Sequence, residues 1–154
     1  MSGVIKSSLA RKYAMALSGL FLVVFLLQHF TINLTSVFSV DVFNEISHFM
    51  GNNPLVQFVL QPILIFGVIF HFLMGFVLEL KNRSARAQNY AQNKGSANSS
   101  WMSRNMIWSG AVILSFLVLH FIDFWFPEMN YKYIEILPSD PNRYFEEMVH
   151  KFVN

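Results

Sequence analysis

The sequence predicts an all-α integral membrane protein, a bundle of three transmembrane helices forming a single membrane domain over 1–154. Three observations carry that prediction. Apolar stretches recur at about 13–34, 55–78 and 105–126, and about 20 residues suffice to cross a bilayer. Hydrophobic residues make up 54% of the chain and charged residues 13%, with a positive mean hydropathy, on the membrane side of the globular range. Basic residues are concentrated at the N-terminus and in the second connection and are missing from the first.

Composition also removes several chemistries. The chain has no cysteine, which excludes disulfides, thiolate-held iron–sulfur clusters and a covalently attached c-type haem. Net charge is +2, and no basic run alternates with aromatics, so nucleic acid is not an expected partner.

Taken in order, the chain starts polar and basic, with Lys6, Arg11 and Lys12, before the first span. A signal peptide is the competing reading. Against it stand the length of the apolar stretch and the absence of a small-x-small cleavage site after it. The connection 35–54 holds Asp41, Glu45 and His48 but no Lys or Arg. Phe38, Val42, Phe43, Ile46 and Phe49 recur there at helical spacing, which predicts a short interfacial helix. Asn52-Asn53-Pro54 reads as a turn and a helix start. Pro62 lies in the second turn of the next span, where a proline bends a membrane helix without breaking it.

The polar connection 79–104 carries Lys81, Arg83, Arg86, Lys94 and Arg104, and Gly95, Ser96, Asn98, Ser99 and Ser100 predict a flexible second half. The third span is expected to stop at Pro127. A polar tail, 127–154, follows, in which acidic residues outnumber basic ones. His48 and His150 fall in polar segments and are expected to be exposed to solvent. The Lys/Arg distribution predicts an N-terminus and second connection in the cytoplasm, with the first connection and the tail outside. Tyr13 and Trp101 suit the inner interface and Trp125 the outer one.

Each span carries one histidine, His29, His71 and His120. An ionisable residue in hydrocarbon is costly without a partner, so each marks a candidate functional site. At 1.5 Å rise per residue, His29 and His120 lie about 24 and 22 Å from the inner surface. His71, on the helix running back, lies roughly 15–20 Å below them. Two imidazoles at one depth on neighbouring helices can ligate one iron from opposite faces of a porphyrin, as in b-type haem within a helix bundle. The eleven-residue spacing puts Ser18 under His29 and Ser109 under His120, and Gly67, His71 and Gly75 share a face. The alternative is structural: a membrane histidine can serve only to hydrogen-bond a carbonyl or a serine across the bundle.

The motifs resemble a known family. Ser7-Ser8, Arg11-Lys12, Ala16-Leu17-Ser18-Gly19-Leu20-Phe21 and His29 are similar to the start of the b558-type cytochrome b subunit of succinate dehydrogenase and fumarate reductase. So are Phe43-Asn44 with His48-Phe49-Met50, Asn82-Arg83-Ser84-Ala85-Arg86, Ser103-Arg104-Asn105-Met106 with Ser109-Gly110, and His120 with Asp123-Phe124-Trp125. The resemblance implies a five-helix, two-haem anchor in the inner membrane, passing electrons between cytoplasmic flavoprotein and iron–sulfur subunits and membrane quinone. It implies that His29 and His120 hold the outer haem b and that His71 is one ligand of the inner one. The family continues into two further helices, the first with the fourth histidine. This sequence ends before either, so a fragment and an incomplete second haem are expected.

The function expected is therefore that of an electron-transferring anchor with no chemistry on succinate itself. Glu45, on the outer side, is a candidate proton-exchanging group for quinone. Two alternatives stand beside it: the cytochrome b of another membrane oxidoreductase, and a haem-free channel or assembly protein.

Overall fold

The computed structural model describes residues 7–84 and 100–153. Lys6, Arg86 and Lys94, and the Gly95–Ser99 part of the polar connection, lie outside the described residues. Those described are helical almost throughout, and no strand occurs among them. Three helices are long and apolar enough to cross a membrane, Leu9–Phe38, Val56–Lys81 and Met106–Ile134. The chain is a membrane protein of the predicted all-α class. None of the residues in the most apolar window of any of the three is buried by the protein itself. Surface of that kind is stable only against hydrocarbon or further protein.

Helix α1 (Ser8–Phe38) starts at Ser7, whose hydroxyl accepts from Leu9 N. This is the usual satisfaction of an orphan N–H at a helix start. Polar side chains inside it turn back on the helix: Thr31 donates to Leu27 O, Thr35 to Ile32 O and Ser36 to Asn33 O. Those bonds remove the penalty of bare hydroxyls in an apolar phase. One extended residue, Ser39, ends α1 and starts α2 (Val40–Asn52). Its N–H donates to Thr35 O at 2.9 Å and its hydroxyl accepts from Val42 N at 3.3 Å. The short helix predicted in the first connection is α2. Asn53 then closes it, with Oδ1 accepting from Leu55 N at 2.9 Å.

The second span begins with a π turn, Val56–Leu60, and continues as α3 (Gln61–Ser84). After the short α4 (Trp101–Arg104), the third span comprises α5 (Met106–His120), a π turn (Phe121–Trp125), α6 (Phe126–Met129) and a second π turn (Asn130–Ile134). Its continuation past Pro127 corrects the predicted stop. The reason is local. Proline breaks a helix because it lacks an N–H and its ring meets the carbonyl four residues back. In both spans a π turn immediately precedes the proline: Gln61 N donates to Val56 O just before Pro62, and Phe126 N to Phe121 O just before Pro127. The widened turn moves the offending carbonyl away, so the helix goes on past the proline.

The chain divides into two compact units, Met1–His71 with Pro138–Asn154, and Phe72–Leu137. In the first, the tail is not merely polar. Residues Arg143–Val153 form α7, which packs on α2. Phe43 meets Phe145 edge to face, with centroids 6.3 Å apart, and Phe145 N donates to Asn44 Oδ1 at 3.0 Å. Arg143 is stacked over Tyr144 and paired with Glu147 at 2.9 Å. The three most buried of the described residues, Phe43, Asn44 and Arg143, all belong to this pair of helices.

Candidate functional site

The first unit contains two of the three spanning histidines, and each has a defined hydrogen-bonding environment. His71, on α3, lies against α1 at two adjacent small residues, Ser18 and Gly19. Ser18 Oγ is 2.9 Å from His71 Nδ1 and also donates to Met15 O at 3.0 Å. A hydroxyl has one proton. With that proton on the Met15 carbonyl, the Ser18 oxygen accepts from His71 Nδ1–H. The assignment leaves the lone pair on Nε2.

Gly19 completes the seat. A Cβ added there would stand 3.1 Å from His71 Cε1, so only glycine lets the ring lie this close to the α1 backbone. One turn before His71, Gly67 does the same for Phe21 of α1, at 3.1 Å. Ser18 and Gly19 on α1 and Gly67 on α3 therefore serve one helix crossing. The level of this crossing matters. Ser18 precedes His29 by eleven residues, which places His71 about 16 Å below His29 along α1.

His29 is half-buried and stacked on Phe25, with centroids 5.6 Å apart and planes 20° from parallel. Asn33, one turn further, donates from Nδ2 to the His29 carbonyl at 2.8 Å and lies 3.3 Å from His29 Nε2. A carbonyl can only accept, so the Asn33 atom is the amide nitrogen and Nε2 is its acceptor. The proton of His29 is thus on Nδ1, as in His71. His48 is the opposite tautomer. Its Nε2 donates to Pro141 O at 3.2 Å, and its ring meets Tyr144 edge-on at 4.8 Å. That contact corrects the expectation that His48 is solvent-exposed, because α7 docks over it. His150 is exposed as expected, and so is Glu45.

In the second unit His120 lies between two phenylalanines of its own helix. Phe116 stacks on it at 5.7 Å and 21°, and Phe124, in the π turn, meets it tilted at 5.2 Å and 39°. The phenylalanine four residues before the ligand candidate is common to His29 and His120. That four-residue spacing is visible in the sequence. Ser109 donates to Met106 O at 3.0 Å and is exposed. Ser18, expected beneath His29, has its hydroxyl engaged by His71. Asn33 and Met15, which set the tautomers, carried no sequence signal that distinguished them from ordinary helix residues. No protein-family model, curated protein or solved structure matches the chain.

Proposed function

We propose that the chain is a haem-b-carrying membrane anchor of succinate dehydrogenase or fumarate reductase, relaying electrons between a cytoplasmic iron–sulfur subunit and membrane quinone. The observation that carries the reading is the hydrogen-bonding geometry of His29 and His71. Asn33 Nδ2 lies 3.3 Å from His29 Nε2 and Ser18 Oγ 2.9 Å from His71 Nδ1, contacts that suit a proton on Nδ1 and a lone pair on Nε2 in each ring, the form in which a histidine binds iron through Nε2. Histidines at two depths on one unit suit two haem levels. The sequence resemblance supplies the rest of the assignment, including the inner-membrane location, and the Lys/Arg distribution supplies the cytoplasmic N-terminus.

Imidazole is the donor type that a b-type haem takes at its iron. By the resemblance, His29 and His120 would hold the outer one, and His71 would supply one ligand to the inner one. When bound, haem supplies reversible one-electron transfer at its iron. The chain's own part is to hold the imidazoles by hydrogen bonds from α1 and to pack Phe25, Phe116 and Phe124 beside them. Glu45, exposed on α2, is the proposed titratable group on the quinone side.

A second reading has its own support. The Ser18–His71 and Asn33–His29 bonds give both imidazoles protein partners, as a haem-free channel or assembly protein would require. A reduced-minus-oxidised absorption spectrum of the purified chain tests the two. A sharp low-spin b-type band supports the anchor, and its absence after haem addition leaves the haem-free reading. Co-purification of flavin-containing and iron–sulfur subunits then separates this anchor from the cytochrome b of another oxidoreductase.

A further inference from the structure

We infer that Ser18 is a positioning residue for His71: by accepting Nδ1–H while its own proton is committed to Met15 O, it selects the tautomer that offers Nε2 as the ligating atom. The geometry supports this from three sides. The Ser18 oxygen is 2.9 Å from Nδ1 and 3.0 Å from the carbonyl that takes its proton. Gly19, the next residue, leaves no Cβ against Cε1, so the Nδ1–Cε1 edge is held flat against α1. The outward directions of the two imidazole nitrogens are nearly opposed, so an Nδ1 turned to α1 sends the Nε2 lone pair away from it. A histidine without such a partner samples both tautomers, and only one presents Nε2 as a donor to a metal.

The inference rests on the reading of His71 as a ligand, but its central statement, which nitrogen carries the proton, can be measured without any cofactor. The full chain is labelled with ¹⁵N-histidine, reconstituted in lipid nanodiscs without haem, and measured at about pH 8.5, where an ordinary imidazole is neutral. The His71 signals are those lost in His71→Gln. Wild type should show a single tautomer with the proton on Nδ1. Ser18→Ala should show both tautomers, and Ser18→Thr, which restores a hydroxyl, should return the single one. Gly19→Ala, which leaves Ser18 in place but forces the ring off α1, should behave like Ser18→Ala. Helical content by circular dichroism confirms that each variant is folded. A wild-type His71 protonated on Nε2 would overturn the inference, as would an unchanged Nδ1–H tautomer in folded Ser18→Ala. The haem reading stands or falls separately, on the difference spectrum. An Nδ1–H tautomer that depends on Ser18 in a chain that binds no haem would support the role of Ser18 while removing the anchor function.

Discussion

Asn33 and His29 share one amide group: the Asn33 Nδ2 donates to the His29 carbonyl and reaches His29 Nε2 at 3.3 Å. If iron takes Nε2, that second bond must be given up, whereas the bond to the carbonyl need not be. Asn33 is therefore a competitor for the ligating lone pair. Asn33→Ala should bind haem at least as tightly as wild type, gaining up to about tenfold, since a neutral hydrogen bond is worth about 0.5–1.5 kcal/mol. Haem titration followed at the low-spin absorption band measures it. A loss as large as that of His29→Ala would mean that Asn33 supports the haem instead of competing with it.

His29 and His120 are proposed to hold one haem between them. Replacing either with alanine should abolish its low-spin spectrum while membrane insertion and helical content persist. Full retention of the signal in both single variants would rule out the pairing.

Topology can be read with thiol reagents, because the chain has no native cysteine. With the N-terminus and the second connection inside, Asp41→Cys should react with an impermeant maleimide in intact spheroplasts and Ser100→Cys should be protected. The reverse pattern would invert the orientation and move His71 to the outer side.

Glu45 is exposed on α2, where it can exchange protons with the aqueous phase. Glu45→Gln in the assembled complex should slow quinone turnover with haem content unchanged. Unaltered quinone kinetics would remove Glu45 from the proton path.

The docking of α7 on α2 depends on Phe43, which is 5% exposed and meets Phe145. Phe43→Ala should cost this contact about 3 kcal/mol, the low end for a buried phenylalanine. Hydrogen exchange at Phe145 N, which donates to Asn44 Oδ1, should accelerate correspondingly, while exchange in α1 stays slow. Unchanged protection at Phe145 would show that α7 is held by other contacts, with Arg143 the next to test.

The three spans, the short helix α2 and the histidine on each span were legible in the sequence because hydrophobic length and helical periodicity are local properties. Even the depth difference between His29 and His71 followed from rise per residue alone, and the contact of Ser18 with His71 agrees with it. The end of the third span was not legible. Proline at 127 is a stop in an α-helix but not after a π turn, and whether a turn widens depends on its whole hydrogen-bond ladder. Nor could spacing show that Ser18 serves His71 and not His29, since a residue's face is fixed by its own helix but its partner by the helix that crosses it. The docking of α7, which covers His48 and buries Arg143, is likewise tertiary. The amphipathic pattern of the tail provides a face to bury, and only the fold decides that α2 is what covers it.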